Sequence, residues 1–163
     1  MLQSLTIPAP QPVKKVPGYK MPETAEYLLD WTFVAEEMTK AQYYWIACVN
    51  SKSGPHVVPL WGIWFEHRVH FDGGPKTRWA QNLKANGKIA VHLPSAEQVV
   101  VIEGRAMTLE DNELSAEEWA VLDGLYQKKY AVKEGSPYWY VQPSKVIAWN
   151  GAGLQTMTRW IFA

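Results

Sequence analysis

Residues 56–83, HVVPLWGIWFEHRVHFDGGPKTRWAQNL, constrain the fold of this chain more than any other stretch. They begin with a long apolar run typical of a buried strand, turn into a second short strand, and end in a basic helix. Pro59 interrupts the first strand, and proline is tolerated in strands only at edges and bulges because it has no amide hydrogen to donate. Gly73 and Gly74 stand before the basic helix start. The stretch therefore predicts a strand–turn–strand–helix unit. Backbone groups are expected to be accessible to a ligand near Pro59 and at the glycine pair before the helix.

The remaining patterns predict a mainly β chain with three helices. A capping box from Ser115 to Glu118 opens the last helix, and Gly104 inside a strand predicts a bulge or bend of the kind that closes a barrel. Six or seven strands with short turns indicate a barrel or sandwich with helices at its ends. The predicted helices cover residues 23–40, 76–85 and 115–129, and the predicted strands cover residues 43–50, 56–65, 69–72, 88–93, 98–109, 145–150 and 154–162.

The chain is expected to consist of an N-terminal arm and one domain. Residues 1–22 contain five of the eleven prolines, a density that excludes a helix and suits an extended segment. This arm is either disordered or lies across a partner subunit. Residues 23–163 are sufficient for a single domain with a substantial core.

Composition excludes several classes of function. With 16 basic and 16 acidic residues the formal net charge is zero, so nothing draws the whole chain toward nucleic acid or an anionic membrane. The single cysteine, Cys48, lies in an apolar run and is predicted to be a small buried hydrophobe, which excludes a disulfide framework. No apolar run approaches the roughly 18 residues needed to span a bilayer. No signal peptide is visible, and cytoplasmic residence is expected.

Pro59 and the residues after it form the first candidate binding element. The strand around Pro59 is apolar on both faces, as if each face were covered. If one cover is a planar ring, the backbone of Leu60, Trp61 and Gly62 can hydrogen-bond to its polar edge. Gly62 would permit close approach because it has no side chain. The alternative is an edge strand whose proline blocks aggregation.

Lys76, Thr77 and Arg78 form the second candidate element. Glycines before a helix start can expose backbone amides, and the helix dipole there favours an anion. The three side chains offer a point charge, a single donor and a forked donor, as a phosphate requires. The alternative is a solvated basic first turn, although cations oppose the dipole at that end. A flat ring with a phosphate tail would satisfy both candidate elements.

The four histidines show no spacing typical of a metal site. No Asp or Glu stands at a spacing from these histidines along the sequence that is typical of zinc or iron ligands. The histidines are His56, His67, His70 and His92.

Trp149 and Arg159 are predicted to lie on neighbouring C-terminal strands, where they could complete a binding site.

The ordered set of segments resembles the flavin-binding split-barrel proteins of the pyridoxamine 5'-phosphate oxidase-like group, which includes flavin- and deazaflavin-dependent oxidoreductases. The likeness covers about residues 40–162 and rests on a hairpin followed by HVVPLWGIWF, VHFDGG, TRWAQNL, KIAVHL and VVVIEGRA. The ending AWNGAGLQTMTRWIF is similar to the C-terminus of one branch. The resemblance implies a mainly β (α+β) fold, a six-stranded antiparallel split β-barrel with peripheral helices. It also implies a homodimer with two cofactor sites in the subunit interface.

The resemblance further implies which residues bind the cofactor. Trp149 and Arg159 would reach in from the partner subunit. The chain departs from the family at Trp79, where many members carry a lysine. One charge that would neutralise the phosphate is therefore lost, and a cofactor other than FMN remains possible. The remaining implied cofactor-binding residues are Pro59, Leu60, Trp61 and Gly62 at the isoalloxazine ring, His70, Phe71 and Asp72 on the next strand, Lys76, Thr77 and Arg78 at the phosphate, and Asn82, which would stabilise the phosphate-binding helix.

The expected function is hydride transfer to or from a small organic substrate by a homodimer that binds FMN or the deazaflavin F420. The ring performs this chemistry, so the lack of a catalytic side-chain dyad is no objection. Oxidation of pyridoxamine phosphate itself is disfavoured because its substrate-phosphate residues are missing near the C-terminus. The alternatives are a haem-binding protein on the same barrel, with one histidine as ligand, and a non-catalytic flavin-binding protein. Zero net charge disfavours a nucleic-acid-binding barrel.

Overall fold

The computed structural model describes residues 4–22, 24–109, 114–132, 138–151 and 153–163. Within these ranges the chain forms nine strands, three α-helices and one 3-10 turn at Ala25–Tyr27. In chain order the elements are β1 (Gln11–Pro12), α1 (Trp31–Lys40), β2 (Tyr44–Val49), β3 (Pro55–Leu60), β4 (Gly62–Phe65), β5 (Arg68–Asp72), α2 (Arg78–Ala85), β6 (Lys88–His92), β7 (Gln98–Thr108), α3 (Ala116–Tyr130), β8 (Tyr138–Asn150) and β9 (Thr158–Ile161).

One antiparallel sheet runs in the order β1-β9-β8-β7-β6-β2-β3, and the β4–β5 hairpin joins it through β8. The sheet splits at β8, whose first residues pair with β5 and whose later residues pair with β9. The result is a mainly β split barrel with peripheral helices, as predicted. None of its described helices is long and apolar enough to cross a membrane.

The bend that closes the barrel lies at Gly104. The register of β7 against β8 shifts between Glu103 and Gly104, and Pro143 stands opposite the shift. A Cβ added at Gly104 would collide with the carbonyl oxygen of Gln142. Only glycine lets the two backbones approach this closely, so the predicted bulge is confirmed.

The barrel interior holds the main hydrophobic core. Alternate residues of β2 point inward, and Cys48 among them is 4% exposed, which confirms its prediction as a small buried hydrophobe. Helix α1 closes one side with Val34 and Met38, which are fully buried. Other large side chains of this core are Tyr44, Ile46, Phe71, Trp79, Leu83, Trp139 and Trp160.

Helix α3 covers the outer face of the β4–β5 hairpin and forms a second apolar cluster there. Its predicted capping box is confirmed, because the Glu118 amide donates to Ser115 Oγ (3.2 Å) and the Ser115 amide donates to the Glu118 carboxylate (2.7 Å). Leu122 and Tyr126 pack from the helix onto Ile63. The hairpin is therefore buried on both faces, by the barrel core and by α3.

The first helix is shorter than the predicted range of 23–40. It begins at Trp31, because the Asp30 side chain accepts a hydrogen bond from a first-turn amide (2.9 Å) and caps the helix there. Tyr27 lies in the separate 3-10 turn and is 57% exposed. The predicted start at residue 23 is therefore wrong, and the buried apolar residues of the helix, Val34 and Met38, follow Trp31.

Other predicted boundaries also differ. The range 56–65 is two strands separated by Trp61, and with β1 this raises the strand count above the expected six or seven. Strand β8 begins at residue 138 rather than 145, and α2 begins at residue 78 rather than 76. Asn86 ends α2 in an extended conformation (φ −146°), and its amide donates to the Asn82 carbonyl (2.8 Å).

The described part of the N-terminal segment lies along its own chain. Strand β1 pairs with β9, with Gln11 opposite Arg159, while Leu5 and Ile7 pack against the core. The division into an arm of residues 1–22 and a single domain of residues 23–163 stays a prediction.

Replacing Gly104 with alanine should lower the free energy of unfolding by about 1–3 kcal/mol, because the new methyl group forces β7 away from β8. Gly124 on α3 is a matched control: a Cβ there meets nothing within 4 Å, and Gly124→Ala should be neutral or stabilising by up to about 1 kcal/mol. Denaturant unfolding measures both variants. Equal stability of the two would show that the bulge does not require glycine.

Candidate functional site

The outer side of the β3-β2-β6-β7-β8-β9 sheet, opposite the barrel core, is apolar and partly bare. In register across three strands, Val57, Ala47 and Ala90 stand side by side. Val57 is 51% exposed at one end of the sheet and Ile161 is 43% exposed at the other. We call this surface the sheet face. The ion pair of Lys145 with Glu103 (2.7 Å) interrupts its apolar part. It comprises Trp45, Ala47, Val57, Pro59, Ala90, His92, Val101, Glu103, Lys145, Ile147, Trp149, Arg159 and Ile161.

Pro59 lies on the edge of the described sheet. Its strand, β3, pairs there with β2 alone, and Pro59 stands opposite Trp45. The residues of β3 alternate between exposed and half-buried, so the expectation of two covered faces is wrong for the single chain. Leu60, the last residue of β3, packs partly against the barrel core. The edge position agrees with the interpretation of Pro59 as an edge-strand proline, and a role for it at a ligand stays a prediction.

Trp61 and Gly62 form a corner between β3 and β4 that α3 contacts. The Gly62 amide donates to Tyr130 Oη (2.9 Å), and the Gly62 carbonyl accepts from Lys129 Nζ (2.7 Å). The Trp61 ring stacks on the Tyr130 ring at 4.6 Å between centroids and 2° between planes. A Cβ on Gly62 would lie 2.7 Å from the His70 carbonyl oxygen. The missing side chain thus serves strand packing, and both backbone groups of Gly62 are already hydrogen-bonded.

Strand β5 sends His70 and Phe71 to opposite sides of the sheet. His70 is fully buried beneath α3, near the rings of Phe65 (5.9 Å) and Tyr140 (6.1 Å). Phe71 lies in the barrel core. Asp72 ends the strand and is half-buried. The structure therefore does not bring His70 and Phe71 to one surface.

The start of α2 combines two exposed cations with a buried hydroxyl. Lys76 and Arg78 are exposed, and Thr77 is the N-cap residue. The Thr77 side chain makes no capping bond, and its Oγ1 is buried without a hydrogen-bond partner in the described part of the chain. Its amide donates to the Gly74 carbonyl (2.9 Å), which closes the turn before the helix. The first-turn amides and this hydroxyl can receive an anion.

Trp79 points into the barrel core, away from the exposed cations. It is 4% exposed, and its ring lies 5.5 Å from that of Phe71. A Cβ on Gly73 would come within 2.6 Å of the Trp79 ring, so Gly73 makes room for it. A side chain at position 79 therefore belongs to the core, while the exposed charge at the helix start comes from Lys76 and Arg78.

Asn82 attaches α2 to the barrel wall. It is 8% exposed, and its amide Nδ2 donates to Cys48 Sγ on β2 at 3.7 Å. Burial raises the pKa of the Cys48 thiol, so this sulfur is a neutral acceptor. The contact fixes the helix that carries the candidate anion site.

Trp149 and Arg159 lie on the sheet face at the far side from Pro59. Arg159 stands opposite Ile147, and its Nε is buried with no hydrogen-bond partner among described residues. Five strand steps separate β9 from β3, about 24 Å along the sheet at roughly 4.8 Å per step. A single chain does not bring these two residues to Pro59.

The histidines differ in which ring nitrogen is available. The Trp31 indole N–H donates to His67 Nδ1 (3.1 Å), so Nε2 of the neutral ring carries the proton. His92 Nδ1 lies 2.8 Å from the Leu93 carbonyl, which only accepts, so its Nε2 keeps a free lone pair. The His92 ring stacks on Trp45 on the sheet face. No three His, Cys, Asp or Glu side chains cluster as metal ligands in the described ranges.

Sequence reasoning missed Lys129 and Tyr130. Their helical spacing predicts α3 but says nothing of contacts with Gly62, which is more than 60 positions away along the chain. Burial lowers the pKa of Lys129 to about 8. No local sequence signal could have identified this pair.

The family model described as pyridoxamine 5'-phosphate oxidase matches residues 32–150, nearly all of the barrel. The chain belongs to this family. No curated protein matches it in sequence. The match spans β2 to β8 and therefore includes both candidate elements, the corner after β3 and the start of α2.

Solved structures share the fold at low sequence identity. An FAD-binding protein from Mycobacterium smegmatis is 17% identical with a TM-score of 0.54, covering 83% of this chain and 98% of its own. A haem-binding protein from the same organism is 17% identical with a TM-score of 0.62, covering 81% and 59%. An F420 reductase is 18% identical with a TM-score of 0.52, covering 68% and 94%. At identities this low, the structural similarity shows a shared fold and nothing more.

The stability of the protein should fall in acid because His70 is buried in its neutral form. Burial, assisted by Arg68, lowers its pKa to about 3, below the roughly 6.5 of an unfolded chain. Between these values the unfolded state binds more protons, so His70 destabilises the fold as the pH falls from about 6.5. We expect His70→Phe to flatten the loss of unfolding free energy between pH 6.5 and 4.5. Parallel pH profiles of variant and wild type would contradict the assignment.

Proposed function

We propose that this protein is an oxidoreductase whose homodimer binds FMN, or alternatively F420, and transfers hydride to or from a small organic substrate. Membership in the pyridoxamine 5'-phosphate oxidase family supports a flavin-type cofactor. The similarity to an FAD-binding protein and an F420 reductase supports it further. The bound ring supplies the redox chemistry, and the residues of the chain bind and orient it.

The observation that carries this proposal is the buried hydroxyl of Thr77, which has no partner in the described structure. Leaving such a group without a hydrogen bond costs about 1–3 kcal/mol. It lies at a helix N-terminus between the exposed side chains of Lys76 and Arg78. A phosphate there would accept from the hydroxyl, the first-turn amides and both cations.

The ring would lie against the edge of β3. Pro59 offers no amide and Trp61 leaves 44% of its surface exposed, with one ring face covered by Tyr130. The backbone of Leu60 pairs with Tyr44 on β2, so the open face of Trp61 is the part of this corner that remains available to a flat ligand. His70 and Phe71 are fully occupied by packing, so in this proposal they support the site from behind rather than line it.

A second copy of this chain would complete the site. The sheet face is mostly apolar, with exposed Val57 and Ile161 near its two ends and one ion pair, Lys145 with Glu103, between them. Pairing two such faces about a two-fold axis would bring the Arg159 edge of one chain toward the β3 edge of the other. Arg159, whose Nε lacks a partner among described residues, would thereby reach the partner's cofactor.

Haem binding is the second candidate, and His92 is the observation that favours it. A histidine whose Nδ1 donates to a carbonyl keeps Nε2 free for a metal, and this arrangement is typical of metal-binding histidines. His92 also lies on the bare sheet face beside Trp45. His67 is disfavoured as a ligand because Trp31 donates to its Nδ1, and His70 is inaccessible.

Thr77→Val should weaken FMN binding without destabilising the free protein, because valine has the same shape and leaves no buried hydroxyl unpaired. Arg78→Ala should raise the FMN dissociation constant about 10- to 100-fold, as expected for a lost charge-assisted bond of about 1.5–3 kcal/mol. Fluorescence titration with FMN and with riboflavin measures both effects. Riboflavin lacks the phosphate, so its affinity should change little.

Lys84→Ala, at the exposed C-terminal end of the same helix, is the control and should bind FMN like wild type. Equal FMN affinity of wild type, Thr77→Val and Arg78→Ala would move the phosphate site elsewhere.

Val57→Asp should convert the dimer into monomers and abolish FMN binding, because it places a charge on an exposed apolar part of the proposed interface. Val121→Asp is the matched control, since Val121 is 46% exposed on α3, outside the sheet face. Light scattering after size exclusion should give twice the chain mass of 18.6 kDa for wild type and for Val121→Asp. A monomeric wild type would refute the shared site.

A further inference from the structure

We infer that Lys129 and Tyr130, at the C-terminal end of α3, are positioning residues that hold the Trp61–Gly62 corner in the conformation that presents Trp61 to the ring. This inference rests on the proposed function. It adds α3 to the site, although α3 carries none of the residues expected to bind the cofactor.

Tyr130 joins three parts of the chain through one hydroxyl. Its Oη accepts from the Gly62 amide at 2.9 Å and lies 2.7 Å from the Gln42 carbonyl and 2.9 Å from the Gly62 carbonyl. The single hydroxyl proton donates to one of these carbonyls at a time. Gln42, two residues before β2, the corner after β3 and the end of α3 are therefore fixed relative to one another.

Lys129 supplies the donor that the Gly62 carbonyl needs. Its ammonium group donates to that oxygen at 2.7 Å and to Tyr44 Oη at 3.3 Å. It also lies over the rings of Tyr44 (4.6 Å) and Tyr130 (5.3 Å). With both side chains in place, the amide and the carbonyl of Gly62 are hydrogen-bonded by α3, and neither is left for a ligand.

The orientation of Trp61 follows from the same contacts. Gly62 lacks a side chain that would restrict its backbone, so the peptide between Trp61 and Gly62 would otherwise have several accessible conformations. The parallel stack of Trp61 on Tyr130 fixes one ring face inward and leaves the other open. A ligand that binds a corner already held in one conformation does not have to order it.

The test uses the full-length protein with Tyr130→Phe, Lys129→Met and Lys129→Arg. Tyr130→Phe keeps the ring stack and removes the hydroxyl, Lys129→Met keeps the length and removes the donor, and Lys129→Arg restores a cationic donor. Lys128→Met is the control, because Lys128 is exposed on the same helix, whereas the described hydrogen bonds of α3 to Gly62 come from Lys129 and Tyr130. Two quantities are measured: amide hydrogen exchange of Gly62 without cofactor, and the FMN dissociation constant by fluorescence quenching.

We expect Tyr130→Phe to speed Gly62 exchange about tenfold, and Tyr130→Phe and Lys129→Met each to raise the FMN dissociation constant about tenfold, the equivalent of one hydrogen bond. Lys129→Arg and Lys128→Met should stay within about twofold of wild type. If Tyr130→Phe does not fold, the FMN dissociation constants of Lys129→Met and Lys129→Arg decide whether the inference holds.

Unchanged Gly62 exchange in Tyr130→Phe would overturn the inference. Faster exchange with unchanged FMN affinity would also overturn it, since the two side chains would then only hold α3 in place. A wild-type protein that binds neither FMN nor F420 would refute the proposed function, and with it the positioning role. If wild type and variants instead bind the cofactor equally tightly, the proposed function stands and only the positioning role is refuted.

Discussion

The close approach of β7 to β8 at Gly104 determines where the other elements lie. Because the ladder bends there, β8 can pair with β5 on one side of the bend and with β9 on the other. The first pairing buries the β4–β5 hairpin between the barrel core and α3. The second extends the sheet to β9 and leaves its outer face bare. One bulge therefore produces both the covered hairpin and the exposed surface on which the proposed site depends.

The proposed site consists of two halves with different physical character. The start of α2 offers charge and an unpaired hydroxyl, whereas β3 and the corner after it offer an edge, an aromatic face and little polarity. A ligand with an anionic tail and a flat ring matches both. The core position of Trp79 removes one objection to such a ligand, because that side chain fills the barrel rather than replacing a charge at the surface.

Sequence predicted the features that depend on neighbouring residues and missed those that depend on distant ones. Short local sequence patterns predict the capping box at Ser115, the bulge at Gly104 and the burial of Cys48. All three predictions are confirmed. The predicted start of α1 at residue 23 is wrong because the helix begins only after the Asp30 cap, while Ala25–Tyr27 form a separate 3-10 turn. The contacts of Lys129 with Gly62 join residues far apart along the chain, so no local pattern encodes them.

The central claim is that two chains bind a flavin-type cofactor between them, and sedimentation of the FMN-loaded protein, followed at the visible absorption band of flavin, tests it in one measurement. We expect flavin absorbance to move with a species of twice the 18.6 kDa chain mass, at one flavin per chain. Flavin absorbance that stays behind while the protein sediments would contradict it. A haem absorption band in the sedimenting species of the protein as purified would instead favour the second candidate function.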